Sequence, residues 1–450
     1  MKKVALFIAC ILLLWGCKCS KELTQNKMEG TKKAIAWSKN TNIYEVNIRQ
    51  YTQEGTFRAF EKHLPRLKEM GVNTIWLMPI HPVGVKNRKG SLGSHYAVKN
   101  YLDVNPDYGT MDDFKHLVKA THHQGMHIVI DWVANHTAWD NVWLESHKDW
   151  YTLDANGNPK PPVDDWTDVA DLNYDNPQMR EAMIDALKFW VQQTDIDGYR
   201  CDVSDMVPLD FWDKVRAELD KIKPVFMLAE SELPNQHDKA FDMTYAWELH
   251  HLMNSIAKGE KTAQDLDIYF SSENYKRFKK ADYRMQFTSN HDENSWNGTE
   301  YERLKSPEAV RCFGVFAATV PGMLLIYNGQ EDSLARRLKF FDKDAIQWGY
   351  LPLAHYYKTL LNLKKKNPAL WNGEYGGEMI RITSDNANVY AYKRIKEEHE
   401  VVVVLNLSNS PQKVHLNEKL GSNLQEVFTQ EEATSDLELE HWGYKVFATK

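Results

Sequence analysis

Thr74-Ile75-Trp76-Leu77-Met78-Pro79 is a nearly continuous apolar run. A strand wet on one face alternates apolar and polar residues. One without alternation is buried on both faces, as in a parallel sheet covered by helices. The run therefore predicts a β/α architecture, and the flanking sequence repeats the theme. Upstream, Ile43-Tyr44-Glu45-Val46-Asn47-Ile48 alternates as a first strand, and Phe57, Phe60, Leu64 and Leu67 follow at helical spacing. Downstream, Thr110 caps a helix with Asp113 at the third position and Phe114, Leu117 and Val118 inward. Gly125 stops that helix, and His127-Ile128-Val129-Ile130-Asp131-Trp132 is a third apolar strand.

The pattern continues through the next two hundred or so residues of the chain. Asn176-Pro177 opens a helix carrying Met183, Leu187, Trp190 and Val191, which leads into a strand over 197–203. A helix with Phe211, Trp212, Val215 and Leu219 precedes a strand over 225–229. A weaker strand falls near 242–247, and clearer ones at 284–289 and 323–327. Ser306-Pro307 opens the helix between the last two, and 353–366 supplies a final helix. Eight strands alternating with helices predict an α/β fold, a (β/α)8 TIM barrel, over 41–370. The segment 137–175 is too long for an ordinary βα loop and reads as a short excursion domain after strand three. From about 375 the pattern turns to short alternating strands, including 389–392, 401–405 and 444–447. This predicts a C-terminal antiparallel β-sandwich domain over 371–450.

The N-terminal residues have another character. Lys2-Lys3, an apolar run from Val4 to Trp15 and then Gly16-Cys17 read as an export signal over 1–20, too short to span a bilayer. Leu14-Trp15-Gly16-Cys17 resembles a bacterial lipobox, cleaved before Cys17 with lipid on its thiol, although Trp15 departs from the small or β-branched residue usual there. Residues 21–40 are polar and read as a tether. The expectation is an exported, membrane-anchored lipoprotein, periplasmic or on the outer-membrane surface. Three of the 5 cysteines lie in the first twenty residues, so the folded body has no disulfide framework.

The net charge of −7, without a dense basic block, argues against nucleic acid as a partner. The 15 Trp and 21 Tyr are many for a soluble chain; flat apolar faces with polar edges suit sugar rings, and core packing accounts for others. No protein partner can be inferred.

Polar clusters sit just past strand ends, the active face of such a barrel. Asp131–His136 ends strand three, and Arg200 with Asp202 ends strand four. Ala229-Glu230 ends strand five, and Ser289-Asn290-His291-Asp292 ends strand seven. Asp202, Glu230 and Asp292 are thus expected in one pocket, where unpaired carboxylates are costly unless they do work. Arg200, two residues from Asp202 on the same strand face, is expected to lower its pKa and keep it ionised. Glu230, after an apolar strand, is expected to be desolvated and raised. Paired carboxylates suit glycoside hydrolysis, one as nucleophile and one as proton donor, with Asp292 as helper. A divalent metal is the competing chemistry for a cluster of acids.

Asp131–His136, Gly198–Asp202, Ala229-Glu230 and Asn290-His291-Asp292, in this order and spacing, resemble the four signature segments of the alpha-amylase family, glycoside hydrolase family 13. The likeness covers roughly 42–450. It implies a retaining double displacement on α-glucosidic bonds, with Asp202 as nucleophile, Glu230 as acid/base and Asp292 as transition-state stabiliser. Arg200, His136 and His291 match residues that contact the nucleophile or the sugar, and Tyr96 matches the tyrosine stacked beneath it. Asn135 and Asp171 match positions that hold a structural Ca2+ in many members, completed by a backbone carbonyl near Met206. Met206 and Asp205 depart from the usual histidine, which a backbone ligand tolerates. No organic cofactor is implied.

The missing N-terminal β domain disfavours neopullulanases, cyclomaltodextrinases and branching enzymes, while Val203 and Asp171-Leu172-Asn173 resemble oligo-1,6-glucosidases. The short excursion implies an open cleft. The expected activity is an alpha-amylase cleaving α-1,4 bonds of starch or maltooligosaccharides. Alternatives are an exo-acting or α-1,6-cleaving glucosidase, and a non-catalytic surface glucan-binding lipoprotein. Trp139, Trp143, Trp150, Tyr151 and Trp166 of the excursion are candidate outer sugar contacts or its own core.

Overall fold

The computed structural model describes residues 35–450. The export signal, the lipobox and most of the expected tether lie outside the described residues. Eight parallel strands close into a barrel: β1 (Ile43–Val46), β2 (Thr74–Leu77), β3 (His127–Trp132), β6 (Gly198–Cys201), β7 (Phe226–Ala229), β8 (Met243–Tyr245), β9 (Tyr283–Gln286) and β10 (Met323–Tyr327). Between β3 and β6, β4 (His136–Ala138) and β5 (Val169–Asp171) pair as a ladder at the root of the excursion. The C-terminal domain carries β11 (Glu378–Ile382), β12 (Val389–Lys396), β13 (His399–Asn406), β15 (Leu424–Glu426) and β17 (Tyr444–Thr449) in one antiparallel sheet. A second, two-stranded sheet joins β14 (Gln412–His415) to β16 (Asp436–Leu439), and Val402, Val404, Phe447, Val414 and Leu437 share the core between them.

The barrel strands obey the period-two rule in both directions. Tyr44, Ile75, Ile128, Ile130, Tyr199 and Met227 point outward into the layer shared with the helices. Ile43, Trp76, Val129, Phe226, Leu228, Met285 and Leu325 fill the barrel interior. Register then places the polar residues. Glu45 lies opposite Trp76, and Asp131 lies opposite Arg200, near the C-terminal ends of their strands. Gly198 opens β6 at φ +156°, where a Cβ would lie 1.9 Å from the Phe226 carbonyl oxygen. Only glycine lets β6 and β7 approach there.

Four expectations are corrected. The first strand stops at Val46, and 48–51 form a short helix, so Ile48 is not part of β1. The helical stretch 57–67 is two helices, Phe57–Glu61 and Leu64–Met70, because Pro65 starts the second and cannot continue the first. The strand near 284–289 is Tyr283–Gln286. The tether does not run to residue 40: Ala36–Asn40 form a 3-10 turn, Ile35 is buried in the barrel-interior core, and Trp37 stacks on His127 with ring centroids 4.0 Å apart.

Candidate active site

Asp131, Arg200 and Glu45 enter the barrel axis from β3, β6 and β1, and all three are buried. Arg200 organises the set. Its Nη1 lies 2.9 Å from Asp131 Oδ1 and 2.8 Å from Asp202 Oδ1, its Nη2 lies 2.9 Å from Glu230 Oε1, and its Nε donates to Tyr245 Oη at 3.2 Å. The Nη2 contact is an ion pair without hydrogen-bond alignment. The Trp76, Tyr96 and Tyr245 rings face the guanidinium, with centroids 5.1, 5.7 and 5.9 Å away.

One guanidinium shared by three carboxylates leaves excess negative charge in a desolvated place, and the pKa values follow. Burial pushes Asp202 up to about 6, with Arg200 opposing and Asp131 and Asp292 adding. Burial likewise pushes Asp131 up to about 6 against Arg200. Glu230 rises further, to about 7, through burial, with Arg200 opposing and the Asp202 and Asp292 charges adding. The expected lowering of Asp202 is therefore corrected: burial and the neighbouring acids outweigh the single arginine. The Glu230 carboxyl is raised, the direction expected for it.

Glu230 is aimed by the backbone. Val203 N donates to its Oε2 at 2.7 Å, and Val203 sits at φ 35° in the left-handed region, a costly place for a β-branched residue. Asp292 lies where β9 gives way to a helix that widens to a π turn over Glu293–Asn297. Its Oδ2 is 3.3 Å from His291 Nε2. His291 Nδ1 lies 2.5 Å from Glu45 Oε1. Burial opposes its charge, but Asp292 and Glu45 outweigh that and hold the imidazolium up to about 9. Tyr96 Oη lies 2.8 Å from His291 Nε2 and donates to Asp131 Oδ2 at 3.1 Å. Its ring stacks with His291 at 5.5 Å and runs nearly parallel to Phe340 at 6.2 Å and 7°. Burial drives His136 down to about 3, so it is neutral.

Tyr96, His136, Asp202, Glu230, His291 and Asp292 line one cavity of about 540 Å3, with Arg200 directly behind them. Lys89, the excursion residues Asp165, Trp166 and Asp168, and the cluster Trp296, Phe340 and Phe341 also line it. Of the five excursion aromatics, Trp166 alone lines this cavity. Trp150 and Tyr151 are buried, and Tyr151 Oη shares a 2.9 Å hydrogen bond with Thr137 Oγ1. The sequence reading passed over Glu45, Lys89, Trp296, Phe340 and Phe341, and quoted Asp131 without a role. A charge inside a strand that must be buried on both faces was the available signal for Glu45 and Asp131. The others are loop residues without a motif.

Asn135 and Asp171 flank the root of the excursion. Asp171 faces His136 across the β4–β5 ladder, and Leu172 N donates to Asn135 O at 3.1 Å. Met206 closes the turn Ser204–Met206. The donors are hard oxygens, but Asp171 is the single carboxylate among the three, where calcium sites gather roughly six to eight oxygens. Among the described residues no group of three or more His, Cys, Asp or Glu is placed to hold a metal ion.

A (β/α)8 barrel with carboxylates gathered round an arginine at its C-terminal face is the framework of a glycoside hydrolase. Residues 36–351 match the family model "Alpha amylase, catalytic domain", and 380–446 match "Maltogenic Amylase, C-terminal domain". The chain belongs to the alpha-amylase family. It is 26% identical over 404 residues to alpha-amylase MalA of Haloarcula japonica, covering 85% of this chain and 58% of that longer protein. It is 25% identical to alpha-amylase 3 of Dictyoglomus thermophilum, covering 85% and 88%. The solved maltogenic alpha-amylase AmyB of Thermotoga neapolitana superposes with a TM-score of 0.80 at 32% identity, covering 91% of this chain and 96% of that one.

Proposed function

We propose that the protein hydrolyses α-1,4 bonds of starch-derived maltooligosaccharides with retention of anomeric configuration. The observation that carries this reading is the sharing of Arg200 by Asp202 and Glu230, at 2.8 and 2.9 Å, with Glu230 the weaker acid. Burial raises both carboxyls, Glu230 the more, and the reaction needs Asp202 ionised while Glu230 keeps its proton. Asp202 Oδ then attacks the anomeric carbon as Glu230 passes its proton to the departing glycosidic oxygen. A water displaces Asp202 from the glycosyl-enzyme, giving its proton back to Glu230. Asp292 and Asp131 lie where their negative charge favours the cationic transition state. Tyr96 supplies a face for the sugar ring, and His136 and His291 supply polar edges for its hydroxyls.

The test is an early time course on maltoheptaose that records product length and anomer together. Short α-anomeric maltooligosaccharides are expected. A β-anomeric first product would overturn retention, and release from isomaltooligosaccharides alone would move the assignment to α-1,6 bonds. Binding without any turnover would favour the surface glucan-binding reading. A structural Ca2+ on Asn135, Asp171 and the Met206 carbonyl belongs to the same proposal but takes part in no step. Chelation is expected to leave kcat unchanged; a proportional loss of kcat would contradict that. The lipobox-like 14–17 supports anchorage on an exported surface, and Cys17→Ala should release the protein from the membrane fraction. Retention of that variant on the membrane would refute the anchor.

A further inference from the structure

The cavity is walled by a strap that joins three separate parts of the chain. Segment 84–93, the loop after β2, is tied at one side to the excursion. Lys89 Nζ lies 3.0 Å from Asp168 Oδ1 and donates to the Asp165 carbonyl at 2.9 Å, and Val85 N donates to the Asp140 carboxylate at 3.0 Å. At the other side it is tied to the loop after β10. Ser91 N and Oγ donate to Asp342 Oδ1 at 2.8 and 2.6 Å, and Leu92 N donates to the Phe341 carbonyl at 2.9 Å. Gly90, at φ +63°, lies so close to Phe341 that a Cβ would stand 2.5 Å from the Phe341 Cβ. Arg49 locks the far end by donating to Gly93 O at 2.8 Å and Phe340 O at 3.1 Å.

The direction of the cleft follows from the chemistry. Glu230, the proton donor, and Val203 beside it mark the leaving-group side. The strap is tied instead to the Tyr96 and His291 side, where Phe340 lies parallel to Tyr96 and Trp296 packs on Phe340 with centroids 5.1 Å apart. Trp296 is 51% exposed, an uncovered aromatic face in the cavity wall. An ammonium and a carboxylate, Lys89 and Asp168, line the same cavity. Asp168 has a side chain only 8% exposed and Lys89 is its one cation partner among the described residues, so the carboxylate is held and largely desolvated. Such a pair suits the vicinal O3 and O4 hydroxyls, free together only on the non-reducing terminal sugar of an α-1,4 glucan, which accept from the ammonium and donate to the carboxylate.

We propose that the strap closes the glycone end of the cleft, and that Lys89 and Asp168 hold the terminal non-reducing sugar of an α-glucan, so that the chain is cut at a set distance from that end. This rests on the hydrolytic reading above. It departs from the open cleft expected from the short excursion: the strap ties the excursion to the loop after β10 beside the cavity. Trp296 and Phe340 are the platform for the sugars between the terminal unit and the cleavage point.

The test compares kcat/KM for a maltoheptaoside with a free non-reducing end against one whose terminal O4 and O6 are blocked as an acetal. Each preparation is measured on both substrates, so the ratio does not depend on the folded fraction. The wild-type protein is expected to prefer the free end at least ~10-fold, because the blocked O4 can no longer donate to Asp168 and the bulky acetal stands against the Lys89–Asp168 pair. Lys89→Ala and Asp168→Asn should bring the ratio towards one, and Lys89→Arg should restore part of it. Equal rates on both substrates for the wild type, or an unchanged ratio in the Ala and Asn variants, would overturn the proposal while leaving hydrolysis intact. No hydrolysis of either substrate would remove the hydrolytic reading and this proposal with it.

Discussion

Arg200 and Arg394 are both buried, 0% and 1% exposed, and their surroundings differ completely. Arg200 sits inside the barrel among Asp131, Asp202 and Glu230. Arg394, on β12, gives its hydrogen bonds to backbone carbonyls alone: Gly377 from Nε and Nη2, Trp371 from Nη2, and Thr319 and Val320 from Nη1. The last two carbonyls close the helix Pro307–Thr319, where the helix dipole is negative. Burial lowers the Arg394 pKa to about 10, whereas for Arg200 the Asp131 and Glu230 charges outweigh burial and raise it. Both arginines meet the same desolvation. One stands among groups that exchange protons near neutral pH; the other ties the C-terminal domain to the barrel and has nothing to exchange. Burial of charge alone therefore does not mark a site; the titrating partners do.

Substituting the two residues should break the molecule in different ways. Arg200→Ala removes the guanidinium that pairs with Asp131, Asp202 and Glu230, and turnover should fall by ~10^3-fold or more. Arg394→Ala leaves several carbonyls without donors and should cost ~3 kcal/mol of stability, with kcat per folded molecule unchanged. Thermal melts paired with active-site titration separate the two outcomes. A loss of kcat in the Arg394 variant equal to that in the Arg200 variant would erase the distinction.

A smaller effect sharpens it. Activity needs Asp202 ionised and Glu230 protonated. With these carboxyls raised to about 6 and about 7, kcat/KM should climb as pH rises through the first value and decline above the second. Arg394→Ala should not move either limb. An acid limb near an ordinary aspartate value of about 4 would show that Arg200 dominates burial after all.

Much of this was legible in the sequence, for identifiable reasons. Each of the eight barrel strands overlaps a stretch read as a strand, with β1 and β9 ending earlier than expected, because strands buried on both faces cannot hide their composition. Even β8, three residues long, shows as a weak run. Asp202, Glu230 and Asp292 were legible because polar residues ending apolar strands can only face the top of the barrel. The sign of the Asp202 shift was not legible: it is set first by burial and then by Asp131 from β3 and Asp292 from beyond β9, brought in by register and by no local pattern. Glu45, which holds His291, is 246 residues away from it along the chain. Lys89, Trp296, Phe340 and Phe341 come from three loops whose meeting is a property of the closed barrel.

The division of labour between Asp202 and Glu230 is tested most directly with α-maltosyl fluoride, whose leaving group needs no proton. Glu230→Gln should lose several orders of magnitude on maltoheptaose but far less on the fluoride, with azide speeding the second step and giving an α-azide product. Asp202→Asn should be equally inactive on both substrates. The reverse pattern, or equal losses on both substrates in both variants, would contradict the assignment of nucleophile and proton donor.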